Sequence, residues 1–365
     1  MSYPYYLSKK EYIMKKLTII TMVLLFIISI AAYAETKNIV GETILMPSTV
    51  PAKLMFDNIK PGSVEVRSKY NKEDKLGYTD STTLTIYKEG VDYIIDYKNG
   101  TIQRTADSKI PDYSKNDVLR KKMFNHGTDK IEFANYYYQT YIDYTTTNYI
   151  NYFDKTGQAK FLPRTTKKLK DGTPIKYVAF GDSITAGGDT TSPTRIYFNR
   201  WVNHLKDKYK KANITVVNGA TGGDTTVQGL ERFNDKVLKE NPDLVSIAFG
   251  MNDNNTIGIS PSAYKDNLNI MIKKLKAQNP NVEIILLSCF SPNDKWFYNS
   301  KQMPQFAKVT QEVAKENKTA FVNIYSTFKR FTDIKGQSSM LGNNINHPTD
   351  FGHWVYEQAI ENAIY

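Results

Sequence analysis

Residues 175–183 read Ile-Lys-Tyr-Val-Ala-Phe-Gly-Asp-Ser, an apolar run that stops abruptly in a polar turn. A run this short, Tyr177–Phe180, fits a strand buried on both faces of a parallel sheet. Similar runs recur downstream at Ile214–Val217, Leu244–Phe249, Val282–Phe290 and Phe321–Ile324. The stretches between them have helical character. One opens with Ser260 as N-cap and Pro261 at the first helical position, and carries Tyr264, Leu268, Met271, Ile272 and Leu275 on one face. Another carries Val227, Leu230, Phe233 and Val237. Alternation of this kind predicts an α/β domain over residues 175–365, a doubly wound parallel sheet between two layers of helices. Sites in such domains form beyond the carboxyl ends of the strands.

Upstream, residues 35–165 predict a smaller β-rich domain. Ser63–Ser68 and Leu84–Tyr87 have strand composition, and Val91–Tyr97 and Thr101–Thr105 flank an Asn99-Gly100 hairpin turn. Tyr136, Tyr137, Tyr138, Tyr141, Tyr144, Tyr149 and Tyr152 follow. They suit either a platform for sugar rings or a core built from β-favouring aromatics. Residues 166–174, with Lys167, Lys168, Lys170 and Asp171-Gly172, read as a polar linker.

The N-terminus has the layout of a secretory signal peptide over residues 1–34: Lys15-Lys16, the apolar run Leu17–Ile30, then Ala32-Tyr33-Ala34. Residues 1–13 look like an extension before a natural start at Met14. Cleavage predicts a secreted or extracytoplasmic chain without a stable membrane anchor. Net charge is +11, and losing four lysines and one glutamate with residues 1–34 leaves +8. This balance suits anionic polymers or simply a solvated lysine-rich surface. No arginine-rich block interleaved with aromatics points to nucleic acid. Cys289 is the single cysteine, so no intrachain disulfide forms, and its apolar surroundings predict a buried small hydrophobe. Four histidines and one cysteine show no metal-ligand spacing, so no metal site is expected.

Four polar segments should meet on one rim of the sheet. They are Gly181-Asp182-Ser183 with Gly187-Gly188, Asn218–Thr225, Gly250-Met251-Asn252-Asp253, and Asn344-Ile345-Asn346-His347-Pro348. Together they supply what acyl transfer needs: a serine, a base within reach, and donors aimed at a developing oxyanion. Ser183 sits at a strand-to-helix junction. Gly223 allows close backbone approach, Asn252 offers an uncharged N–H, and His347 can accept and return the proton. Trp296, Phe297 and Tyr298 follow the fourth strand at the same rim, as pocket lining or as a loop anchor.

The four blocks in this order resemble the SGNH (GDSL) hydrolase family over roughly residues 175–365. The resemblance implies a flavodoxin-like sheet, a Ser183 nucleophile, His347 as base, and an oxyanion hole from Ser183, Gly223 and Asn252. It also implies ester hydrolysis without metal or organic cofactor. One position departs from the family pattern, which has Asp three residues before the His. Here Asn344 stands there, so Asn344 is the expected orienter of His347, as an Asn serves in papain-like sites. A backbone carbonyl, a Ser–His dyad, or Asp350 paired with His353 are the alternatives.

The expected activity is deacetylation of a polysaccharide by a secreted esterase. The alternatives are a lipid or aryl esterase, lysophospholipase-like, or a binding protein with a decayed site. His126 and His204 have no partners in sequence and read as structural or exposed.

Overall fold

The computed structural model describes residues 35–71 and 83–365, so the stretch read as a signal peptide, residues 1–34, lies outside the described residues. The N-terminal region holds β1 (Glu35–Ile44), β2 (Ala52–Lys53), β3 (Glu65–Arg67), β4 (Ile86–Tyr87), β5 (Tyr93–Asp96), β6 (Thr101–Arg104) and β7 (Thr140–Tyr149). They form an antiparallel sheet ordered β1-β7-β3-β4 and a smaller one ordered β2-β6-β5. The hairpin β5–β6 pairs Tyr93 with Arg104 and Asp96 with Thr101. Its turn needs Gly100, which has φ +58° and passes so close to Phe56 that a Cβ would lie 2.2 Å from its carbonyl oxygen. The tyrosines along β7, Tyr141, Tyr144 and Tyr149, are buried. They therefore fill the core and form no exposed stacking platform.

The second region is the expected α/β sheet, built from β8 (Ile175–Gly181), β9 (Ile214–Asn218), β10 (Leu244–Ala248), β11 (Glu283–Leu287) and β12 (Ala320–Val322). All pairings are parallel, and the order β9-β8-β10-β11-β12 is the flavodoxin-like one. The inner strands β8, β10 and β11 are largely apolar and buried because helices cover both faces, whereas the edge strand β9 is partly exposed. The helix Pro261–Gln278 buries Tyr264, Leu268, Met271, Ile272 and Leu275, with Ser260 accepting a hydrogen bond from the Ala263 N–H as N-cap. Strand order reverses between β8 and β10, and the crevice beyond their carboxyl ends is where the polar segments gather.

The stretch read as a polar linker is mostly helix, Pro163–Asp171, closed by Gly172 at φ +84°. Its lysines face outward while Thr165 and Leu169 are buried. The Glu283 carboxylate at the start of β11 accepts hydrogen bonds from the first-turn N–H groups of Arg164 and Thr165, both at 2.7 Å. An acidic group at a helix N-terminus satisfies donors that have no partner inside the helix. Residue spacing hid this because the cap comes from a strand far along the chain.

The two regions share one continuous core, running from Ile39 to Ile364. A fully buried ion pair crosses between them: Lys335, at the end of helix Ile324–Lys335, bonds to Glu42 of β1. Glu42 also accepts from the Tyr144 hydroxyl at 2.6 Å and the Met55 N–H at 2.8 Å. Thr43 adds hydrogen bonds to the Ser339 carbonyl at 3.1 Å and the Thr349 hydroxyl at 2.8 Å. Among the described residues no helix is long and apolar enough to cross a membrane. Lys335→Met should cost about 3–5 kcal/mol in urea unfolding, because it strands a buried carboxylate. Adding Glu42→Gln should recover much of that loss. A single-variant cost below about 1 kcal/mol would show that the pair does not pin the regions together.

Candidate active site

Ser183 opens a short helix, Ser183–Ala186, directly after β8, with Asp182 as its N-cap. The Ser183 Oγ lies 2.8 Å from Nε2 of His347. On the other side of the ring, Nδ1 lies 2.6 Å from Oδ2 of Asp189. An ionised carboxylate only accepts, so the proton sits on Nδ1, and Nε2 offers its lone pair to the serine hydroxyl.

The acceptor on His347 is thus Asp189, and Asn344 is not in that position. Asn344 is buried and makes other bonds. Its Oδ1 accepts from the Tyr113 hydroxyl at 3.2 Å and from Asn293 Nδ2 at 3.4 Å, and its Nδ2 donates to Asn116 Oδ1 at 3.3 Å. This network needs both a donor and an acceptor at 344, which an amide provides and a carboxylate does not. Asp350 does not serve His347 or His353 either. It accepts from the Thr191 N–H at 3.0 Å and from the Thr191 hydroxyl. His353 is fully buried, accepts at Nδ1 from the Tyr197 N–H at 3.3 Å, and is pushed down to about 3 by desolvation, so it is a neutral packing residue.

Asp189 reaches the ring because two glycines clear its way. It has φ +60°, a left-handed conformation that Asp tolerates better than most residues. A Cβ on Gly188 would lie 2.8 Å from the His347 ring, and one on Gly342 would lie 2.6 Å from the Asp189 Cβ. The Gly187 and Gly188 N–H groups both donate to the Ser183 carbonyl, at 3.1 and 2.9 Å, turning the chain back toward the serine. The histidine loop is equally organised. Asn343 Oδ1 accepts from the N–H groups of Ile345, Asn346 and His347, at 2.9, 2.9 and 3.1 Å.

Gly223 has φ +81° and Asn252 donates from Nδ2 to the Asp224 carbonyl at 2.9 Å. Both line the cavity that holds Ser183 and His347, about 720 Å³ in volume. Trp296 and Tyr298 line it too, whereas Phe297 stands outside it, half exposed, with its ring edge against Tyr298. The cavity has a wall that the sequence did not suggest: His126, Gly127 and Phe133, all from the N-terminal region. His204 instead pairs with Glu357 and Glu361 on the last helix, which raise it to about 10.

Two buried acids brace the rim. Asp253 accepts from the Thr226 N–H at 2.8 Å, the Thr226 hydroxyl at 2.6 Å and the Gly250 N–H at 3.1 Å. Asp182 accepts from the Ile184 N–H at 3.0 Å. Burial, with the charge of Asp253 nearby, raises Asp182 to about 7. A folded value above the unfolded one of about 3.9 means its contribution to stability is complete below pH ~4 and is lost as pH rises through 7. Asp182→Asn keeps the cap and removes the titration. In urea unfolding, the stability of Asp182→Asn relative to wild type should therefore increase from pH 5 to pH 8. A difference that stays constant across that window would contradict the assignment.

Among the described residues, no group of His, Cys, Asp and Glu is placed to hold a metal ion. Parts of the chain are similar to known esterases. The arylesterase of Vibrio mimicus is 34% identical over 109 residues, 29% of this chain and 52% of the relative. The acetylxylan esterase of Geobacillus stearothermophilus is 25% identical over 207 residues, 52% of this chain and 94% of the relative. A solved two-domain esterase active on acetylated mannans shows 21% identity, a TM-score of 0.47, and coverage of 57% of this chain and 54% of its own. Residues 179–355 match the GDSL-like Lipase/Acylhydrolase family, and this segment of the chain belongs to that family of ester hydrolases.

Proposed function

We propose that the chain is a serine esterase that removes acetyl groups from a carbohydrate polymer outside the cytoplasm. The observation that carries the catalytic part is the continuous relay Ser183–His347–Asp189, with contacts of 2.8 and 2.6 Å. Ser183 Oγ attacks the ester carbonyl carbon while His347 Nε2 takes its proton, and Asp189 stabilises the imidazolium that forms. The oxyanion is met by the N–H groups of Ser183 and Gly223 and by the second N–H of the Asn252 amide. Collapse breaks the bond to the alcohol, which takes the proton from His347 and leaves an acyl-serine. Water, deprotonated by the same histidine, then attacks that carbonyl, and acetate leaves with Ser183 restored.

The carbohydrate part is supported by the wide cavity, its aromatic and amide lining, and the 25% identity to an acetylxylan esterase. Export is supported by the signal-like segment at residues 1–34. An aryl-ester reading is favoured by the aromatic wall of Trp296, Tyr298 and Phe133 and by the arylesterase relative.

Acetate release from acetylated xylan and mannan oligomers, alongside p-nitrophenyl esters of rising chain length, separates the readings. Oligosaccharide deacetylation abolished by Ser183→Ala supports the proposal. Turnover confined to aryl or long-chain esters would replace it.

Asp189→Asn should lower kcat by about four orders of magnitude, because an amide holds the wrong imidazole tautomer. Asn344→Asp should not restore the loss, and on its own should lower the melting temperature. Wild-type rates in Asp189→Asn, or rescue by Asn344→Asp, would return the orienting role to position 344.

A further inference from the structure

The wall contributed by the N-terminal region is held in place from several directions. Phe124 bridges to Trp296 in parallel pairing, its N–H donating to the Lys295 carbonyl at 2.9 Å and its carbonyl accepting from the Phe297 N–H at 2.9 Å. The following turn is braced by its own side chains. Asn125 Oδ1 accepts from the Gly127 N–H at 2.9 Å, and Asp129 accepts from the Asn125 N–H at 3.1 Å. His126 rides on this turn, its ring centroid 5.6 Å from Trp296, 5.7 Å from Tyr298 and 6.3 Å from Phe133.

One bond fixes the chemistry of His126. The Trp296 indole N–H donates to its Nδ1 at 2.9 Å. Indole is only a donor, so Nδ1 carries a lone pair and the proton of the neutral ring sits on Nε2. Protonating the ring would break this bond, and partial burial also lowers its pKa. The cavity around it is uncharged in character. Asn252, Asn255, Asn343 and Asn346 line it, and among the described residues no lysine, arginine, aspartate or glutamate does, although the protein carries a net charge of +11.

We propose that His126 is a substrate-positioning residue: its Nε2–H donates to a hydroxyl of an uncharged sugar ring seated against Trp296 and Tyr298 as the ester lies on Ser183. This rests on the carbohydrate-esterase reading and deepens it in two ways. The N-terminal region becomes part of the site, and the preferred polymer is neutral. A uronate or phosphate would find no lysine or arginine among the described residues of the lining, so its desolvation would bring no return. Aromatic faces and amide side chains suit the apolar faces and hydroxyls of a neutral sugar.

The test compares wild type, His126→Leu and His126→Gln on three substrates: acetylated xylo-oligosaccharide, acetylated oligogalacturonate and p-nitrophenyl acetate. Gln can accept from Trp296 and still donate into the cavity, whereas Leu can do neither. Leu should lower kcat/KM on the xylo-oligosaccharide by about tenfold, chiefly through KM, and by clearly less on p-nitrophenyl acetate, and Gln should restore most of the loss. Wild type should prefer the neutral oligomer to the anionic one. Equal losses on oligosaccharide and p-nitrophenyl acetate, no loss on either, or a preference for oligogalacturonate would each overturn the proposal. Nitrogen-15 NMR of wild-type His126 gives an independent readout: Nε2 protonated and Nδ1 bare is expected, and the opposite tautomer would overturn it. A wild type that releases acetate from p-nitrophenyl acetate but from no oligosaccharide would instead overturn the carbohydrate reading itself.

Discussion

A histidine acts most effectively as a base toward a serine when its other nitrogen is tied to an acceptor, because a free imidazole divides its proton between two positions. In this protein that tie is the 2.6 Å contact between His347 Nδ1 and Asp189. Much of the surrounding structure answers to it. Asp189 comes six residues after Ser183, and the chain between them doubles back through Gly187 and Gly188 onto the Ser183 carbonyl. The histidine loop must pass close over that turn, so Gly188 and Gly342 stand where a Cβ would strike His347 or Asp189. Serine and acid therefore sit on one rigid turn after β8, and only the histidine arrives from elsewhere.

That arrangement frees position 344. With no acid required there, Asn344 ties the histidine loop to Tyr113 and Asn116 of the N-terminal region. Asn135 strengthens the same seam, donating from Nδ2 to the Leu341 carbonyl at 2.9 Å and from its N–H to the Gly342 carbonyl at 2.9 Å. The N-terminal region thus supports the segment that carries His347, and the shared core and the Glu42–Lys335 pair hold the two regions in register. Catalytic geometry and N-terminal packing are one mechanical unit.

Most of the parallel sheet was legible because its strands are buried on both faces and read as short unbroken apolar runs. The meeting of Ser183, His347, Gly223 and Asn252 in one cavity was legible because each follows such a run, or precedes the last helix, in a polar segment. Asp189 was not, since its bond to His347 joins residues 158 positions apart. A left-handed φ at an aspartate has no one-residue signature either. The signal that was present is the pair of glycines immediately before an acid, close behind the nucleophile. The helix at Pro163–Asp171 was hidden by its lysines, although Leu162, Thr165 and Leu169 already had helical spacing. The cavity wall at His126 and Phe133 lies in a stretch without periodicity, held in place by strand pairing to Trp296.

The central claim concerns a single proton, the one on His347 Nδ1. Proton NMR should show it as a strongly deshielded signal in the wild-type protein. The account predicts that Asn344→Leu leaves this signal in place and that Asp189→Ala removes it. A signal that survives in Asp189→Ala and disappears in Asn344→Leu would contradict the account.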